Sequence, residues 1–361
     1  MDSKWIIVII TAAIIVIAGA AVVVIGDDKN ERGNGPVTVT DGLGNEVYIE
    51  SSDKVSSTSA TVTEIICGIG AYSKIAGVTV DDGPYKVNEK IIGLADDGYP
   101  GSILEGIKNN TITDMGGMWN IAAESILKSE PDLVIMGGYF NSPDTITALG
   151  NMDIPVVICK DDNSLDNIYF NIELIGKALG MESEAESLVK DMKSSIKKIV
   201  DWTDSLNDEP ESVAVFMGYG SQYGTYANGQ TYLMGSPMIT MLGGTNAFSG
   251  IKGMYEIVST ESVITANPDI IIDSSPAGKT ELESVTTSTL TSGISAVKND
   301  RVYGTFDSCG SAFTLTSQGI VNSVAIMAMF MYEDHLNFDI DHFMGDDYTS
   351  YLESFWKMIN A

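Results

Sequence analysis

The sequence predicts an α/β protein built from two similar lobes, with two helices, the second long, between them and an N-terminal transmembrane helix ahead of them. Three observations predict it. A phrase occurs twice: Glu124-Ser125-Ile126-Leu127-Lys128-Ser129-Glu130-Pro131-Asp132-Leu133-Val134-Ile135 returns as Glu261-Ser262-Val263-Ile264-Thr265-Ala266-Asn267-Pro268-Asp269-Ile270-Ile271-Ile272, 137 residues later. Each copy reads as a short helix, a Pro-Asp turn that stops it, and an apolar run suited to a strand buried on both faces. A fainter echo keeps the same order, since Leu242-Gly243-Gly244 through Gly250-Ile251 resembles Ile69-Gly70-Ala71 through Gly77-Val78. Second, Leu165 to Leu206 runs without a proline, and Ile168, Ile172, Ile175, Leu179, Leu188, Met192, Ile196 and Ile199 follow helical spacing on either side of Gly180-Met181. Third, Trp5 to Ile25 carries no charge, and at about 1.5 Å per residue it spans the roughly 30 Å of a bilayer core.

In chain order these features divide the protein into a transmembrane anchor (1–26), a linker (27–36), an N-terminal lobe (37–165), bridging helices (166–206), a C-terminal lobe (207–335) and a helical tail (336–361). The apolar run is longer than a signal-peptide core, and Ala18-Gly19-Ala20 leads into more apolar residues instead of a mature start, so an uncleaved anchor is expected. No Cys stands at its end to take a lipid. The globular part is placed outside the cell. Thr38-Val39-Thr40 and Val47-Tyr48-Ile49 flank Asp41 to Asn45 as a hairpin. A strand at 55–58 and a helix at 61–69 follow, then loops with short strands over 79–115, the first copy of the phrase, and a strand at 155–159. After the two helices, a strand at 213–217, a helix at 234–242, the second copy, a strand near 301–306 and a helix at 315–332 complete the second lobe. An amphipathic helix is expected at 348–359.

Composition excludes some functions. A net charge of −29 with only 20 Lys and Arg argues against nucleic acid, whose phosphates need clustered cations. Cys67, Cys159 and Cys309 show no CxxC spacing, so buried thiols are expected and not a zinc site. His335 and His342 stand among Asp334, Asp339 and Asp341, which reads as a solvated acidic tail more readily than as a metal cage. Asn109-Asn110-Thr111 is a glycosylation acceptor motif. No Ser-His-Asp or Cys-His set falls in the candidate loops, and Gly218-Tyr219-Gly220 lacks the third glycine of a dinucleotide site. No catalytic residue, resident metal or cofactor is therefore expected. Glu124 and Glu261 are separated by the repeat itself and do not make a paired acid.

Ligand-facing loops follow the strand ends in α/β sheets. In the first lobe these contain Thr58 and Ser59, Trp119, Tyr139 and Phe140, and the stretch from Lys160; in the second, Tyr219, Tyr223, Tyr226 and Tyr232, and Phe313. Aromatic faces with few charges suit a large, flat or macrocyclic ligand held by contact and desolvation.

The chain resembles a known family over about residues 37 to 335. Thr40-Asp41 and Gly44, then Thr63-Glu64-Ile65-Ile66 through Ile69-Gly70-Ala71, and above all Glu124 to Ile135, are similar to motifs of the extracytoplasmic solute-binding proteins of ABC importers for ferric siderophores, haem and cobalamin. Asp53-Lys54 stands where that family has Pro-x-Arg. The resemblance implies two Rossmann-like lobes with central sheets, bridged by one long α-helix, with ligand held between them and cargo delivered to an ABC permease and its ATPase; a monomer anchored through the N-terminal apolar run is expected. By motif position it assigns Glu124 and Glu261 to docking on permease arginines. It implies a metal chelate as cargo. With no Arg in the candidate loops and only Lys160 nearby, a corrinoid or ferric hydroxamate fits better than a catecholate, and haem would need a Tyr as axial ligand. A sensor or enzyme using the same fold is the alternative.

Overall fold

A β-hairpin opens the folded region: β1 (Val37–Thr40) runs antiparallel to β2 (Glu46–Ile49), with Val37 opposite Ile49. Asp41 closes the turn because its carboxylate accepts the N–H groups of Leu43 and Asn45, each at 2.9 Å. The computed structural model describes residues 35–80, 103–117, 121–161, 163–218, 224–274, 282, 287–306, 316–345 and 347–361. The apolar run Trp5 to Ile25 and nearly all of the linker lie outside them. Among the described residues no helix is long and apolar enough to cross a membrane.

The chain divides into unit 1, Met1–Lys193 with Thr316–Gln318, and unit 2, Ser194–Leu315 with Gly319–Ala361. Unit 1 holds a parallel five-stranded sheet of β3 (Val55–Ser57), β4 (Ile75–Val78), β5 (Thr113–Asp114), β6 (Leu133–Met136) and β7 (Val156–Ile158), in the order β5-β4-β3-β6-β7. Its helices are α1 (Ala60–Gly68), α2 (Ile103–Lys108), α3 (Ala123–Leu127), α4 (Pro143–Gly150) and α5 (Leu165–Leu179). Every residue of β3 and β6 is buried, which is why these strands are apolar runs or small residues without alternation. Val134, Met136, Ile126, Leu149 and Ile158 pack in one apolar cluster of this unit. Gly180, at φ 66°, ends α5, and α6 (Glu182–Leu206) carries the chain across the boundary between Lys193 and Ser194. Of the two expected bridging helices, α5 belongs to unit 1, where it packs on β1 and α1.

Unit 2 is built on a seven-stranded sheet. β8 (Ser212–Phe216), β9 (Thr225–Asn228), β11 (Tyr255–Val258), β12 (Ile270–Asp273), β13 (Val302–Thr305) and β14 (Phe343–Met344) run in the order β11-β9-β8-β12-β13-β14, and β10 (Thr245–Asn246) pairs with β8. β9 is antiparallel to both neighbours, and the remaining pairs are parallel. The helices are α7 (Ser236–Met241), α8 (Thr260–Ala266), α9 (Ser295–Lys298), α10 (Ile320–Met331) and α11 (Tyr348–Ile359). The residues expected as a tail are part of this unit: β14 extends the sheet, and α11 buries Leu352, Phe355 and Trp356 beside α10. Trp202 meets Tyr332 and Phe355 edge-on, with ring centroids at 5.9 and 5.2 Å.

The repeated phrase does the same structural work in both units. β6 lies between β3 and β7, and β12 lies between β8 and β13. The residue before each proline, Glu130 and Asn267, has φ of 48° and 44°, a left-handed turn that ends the helix and redirects the chain into the strand. Each following aspartate then ties its strand to a neighbour in the sheet, β6 to β3 and β12 to β8. Asp132 N–H donates to Lys54 O at 2.8 Å while its carboxylate accepts Lys54 N–H; Asp269 N–H donates to Ser212 O at 2.8 Å while its carboxylate accepts Ser212 N–H. The fainter echo is also structural, because Gly70 and Gly243 stand just beyond α1 and α7 with φ of 80° and 88°, where a β-carbon would be strained.

Arg301, just ahead of β13, is mostly buried and joins three elements of unit 2. Its guanidinium meets Glu211 at 2.6 Å and donates to Met331 O at the end of α10 at 2.7 Å. Arg301→Met should cost about 2–4 kcal/mol, because Glu211 and the helix-end carbonyl lose their partner while half-buried. Equal denaturation midpoints for variant and parent would refute this.

Candidate functional site

The parallel strands of unit 1 all end on one rim. Thr58 and Ser59 follow β3, Thr79 follows β4, Gly137 to Phe140 follow β6, and Cys159 and Lys160 follow β7. Thr58 is fully buried, its N–H bonded to Ile135 O at 3.1 Å. Ser59 is buried too, and its hydroxyl caps α1 by accepting Val62 N–H at 3.3 Å. These two expected ligand contacts therefore shape the rim and are covered in this structure. A short residue next to a strand end gives no signal in sequence to tell a cap from a contact. Tyr139 does stand on the surface, 43% exposed, in a single 3₁₀ turn from Gly138 to Phe140.

Lys160 is a basic residue of this rim, and it is held in place. Its N–H donates to Asn171 Oδ1 at 2.8 Å and its carbonyl accepts Asn171 Nδ2–H at 3.1 Å. Its ammonium lies 4.0 Å from the Phe170 ring centroid. Gly42 and Gly138 both back directly onto its peptide groups.

In unit 2 the rim begins at Met217 and Gly218 after β8, Ser274 after β12 and Phe306 after β13. Gly218 N–H donates to Asp273 Oδ1 at 3.0 Å, and Ser274 Oγ donates to Phe216 O at 3.0 Å. Asp273 is fully buried at the end of an otherwise apolar strand. Sequence reading missed it, although an acid closing Ile270-Ile271-Ile272 is a detectable signal.

The expected run of four loop tyrosines is corrected at Tyr226. This residue lies in β9, opposite Ile257, half-buried and edge-on to Tyr255 at 5.7 Å. β9 and β11 form an antiparallel pair added to the repeat, so the glycine-rich surroundings conceal a strand. Tyr232 is half-buried in the turn that leads to α7. Trp119, Tyr219, Tyr223 and Phe313 lie outside the described residues.

Glu124 and Glu261 are both exposed, each the second residue of its helix. Ser259 caps α8, and hydrogen bonds from the backbone and from Ser259 hold the Glu261 carboxyl below the usual carboxylate range. Beside Glu261 runs an open groove of about 480 Å³ lined by Phe248, Ile251, Thr265 and Ala266 among others.

The two histidines are each engaged by an acid: His335 Nε2 lies 2.6 Å from Asp208, and His342 Nε2 lies 3.0 Å from Glu333. Among the described residues no group of three His, Cys, Asp or Glu could hold a metal ion. Cys67 and Cys159 are buried, and Cys309 lies outside the described residues. On the rim of unit 1 the Tyr139 ring is open to contact, while the hydroxyl residues Thr58, Ser59 and Thr79 are buried.

Comparison with known proteins agrees with this geometry. Over 302 residues the chain is 27% identical to an uncharacterized ABC transporter substrate-binding lipoprotein, YvrC, of Bacillus subtilis (strain 168), covering 83% of this chain and 86% of the relative. Its fold is similar to that of the periplasmic heme-binding protein RhuT from Roseiflexus sp. RS-1 in apo form, with a TM-score of 0.59 at 21% identity, covering 78% of this chain and 99% of the other. A possible iron-binding (periplasmic solute-binding) protein from Staphylococcus epidermidis aligns with a TM-score of 0.60 at 24% identity, covering 78% and 98%. These relatives are substrate-binding proteins, not enzymes. Residues 55–308, from the start of β3 to just beyond β13, match one family throughout, and the chain belongs to the periplasmic binding protein family.

Proposed function

We propose that this protein is the extracytoplasmic substrate-binding component of an ABC importer and that its cargo is a metal chelate, a ferric siderophore or a corrinoid. The family match across residues 55–308 carries this reading. The strand-end rim of unit 1 supports a cargo of low charge, since Lys160 already lies on the Phe170 ring. Large planar or macrocyclic ligands gain from burial against aromatic faces such as Tyr139. Glu124 and Glu261, one carboxylate per unit, would meet cationic residues of the permease, and an ATPase would drive release. The protein acts as a monomer, held to the cell surface by residues 5–25.

Haem is a second reading, favoured by the exposure of Tyr139, whose phenolate could serve as an axial ligand. The test is native mass spectrometry and tryptophan quenching of the full chain against cobalamin, a ferric hydroxamate, a ferric catecholate and haem. One-to-one occupancy by cobalamin or the hydroxamate, with the ligand recovered unchanged, is expected. Occupancy by haem alone, with its absorption band altered in Tyr139→Phe, selects the second reading. Silence from all four overturns the chelate.

A further inference from the structure

Helix α1 turns one face to Thr316–Gln318, a segment that belongs to unit 1 although the chain before and after it belongs to unit 2. Thr61, Glu64 and Gly68, three and four residues apart, share that face. The hydroxyls of Thr61 and Thr316 lie 3.4 Å apart. Ser317 Oγ donates to the Glu64 carboxylate, and Gln318 Nε2 donates to Glu64 O at 2.8 Å. The Gln318 amide occupies the space where a β-carbon on Gly68 would stand, 2.6 Å away. All three positions of the helix face thus serve three consecutive residues of the segment.

We propose that Glu64 is a positioning residue for residues 316–318, a clasp that holds when Glu64 carries a proton and loosens when it ionises. Burial pushes the Glu64 carboxyl up to about 7, and the Ser317 hydroxyl pulls the other way. Charged partners do not account for this. Glu64 is the charged residue of α1, whose other titratable group is the Cys67 thiol; β3, β4 and the segment itself carry no charged side chain. The packed helix α5 brings Asp166, Tyr169, Glu173 and Lys177, and none of them contributes to the shift. An acid that binds its proton more tightly clasped than open gives a hold fully present below its ordinary pKa near 4.5, and lost as pH rises through about 7.

The consequence for cargo rests on the function proposed above, since the segment follows directly on the stretch containing Phe313; the clasp itself is tested without ligand. Amide hydrogen exchange of residues 316–320 is measured by mass spectrometry on the full chain between pH 5 and 8, with rates corrected for the intrinsic effect of pH. In the parent, opening should rise roughly tenfold to a hundredfold across that range. Glu64→Gln, which keeps the shape and removes the charge, should stay protected at every pH, while Glu64→Ala should be open throughout. Should the alanine variant not fold, Ser317→Ala decides, because losing the hydroxyl should move the parent's transition to higher pH. A parent profile flat with pH, or a glutamine variant as open as alanine, overturns the proposal. If exchange behaves as expected yet no cargo affinity follows the same pH profile, the clasp stands and the binding function is what fails.

Discussion

Reversing both carboxylates proposed to dock on the permease, Glu124→Arg with Glu261→Arg, is expected to abolish cargo uptake while cargo affinity stays within about twofold, because neither residue lies on a strand-end rim. Both side chains are exposed at the second position of a helix that leads into a central strand, and the repeat gives each unit one of them. Hydrogen bonds at the α8 N-terminus hold the Glu261 carboxyl below the usual carboxylate range, so it presents its negative charge at neutral pH. Charge reversal replaces an attraction to a cationic partner by repulsion and slows encounter as well as weakening the docked state, so uptake should fall roughly a hundredfold or more. Each single reversal should cost about tenfold or more. If the two glutamates only complement their own helices, both variants would lose a little thermal stability and transport normally, and that outcome would sink the docking role. Uptake in cells and ligand occupancy by native mass spectrometry separate the cases.

The sequence made the α/β core legible because both signals of that core are local. Apolar runs ended by Pro-Asp turns mark β6 and β12, and helical spacing broken at Gly180 marks α5 and α6. What the repeat could not reveal is why its aspartates recur. Asp132 and Asp269 bond to Lys54 and Ser212, residues 78 and 57 positions earlier, and no local pattern carries a contact of that separation. The β9–β11 pair was hidden for a similar reason, since a four-residue strand among glycines looks like a loop until its partner is known. Glu64 was visible only as part of a motif. Its engagement by Ser317, 253 residues later, emerges from the fold alone. In the site, exposure was the missing quantity: Tyr139 is on the surface and Thr58 is covered, although both follow parallel strands.

The largest loss of stability is expected from placing a side chain on Gly42 or Gly138. A β-carbon on Gly42 would lie 2.3 Å from the Lys160 nitrogen and 2.4 Å from the Cys159 carbonyl carbon; one on Gly138 would lie 2.4 Å from the Lys160 carbonyl carbon and 2.5 Å from the Asp161 nitrogen. The obstructing atoms are backbone, so no rotamer change relieves them, and the hairpin turn or the end of β7 must move instead. Gly42 also donates its N–H to Ile158 O at 2.6 Å, a bond that such a movement would stretch. Overpacking against backbone costs about 3 kcal/mol or more for each alanine, which lowers Tm by roughly 6–12 °C in a domain of this size. The two added carbons meet the consecutive peptide groups on either side of Lys160, so the losses of the double variant should not simply add. Gly150→Ala is the control, with no atom within 4 Å of the added carbon, and should leave Tm unchanged. Gly138→Ala should in addition weaken cargo binding, since Tyr139 is the next residue and moves with it. Equal thermal midpoints for Gly42→Ala and Gly150→Ala would show that the hairpin does not bear on the end of β7 at all.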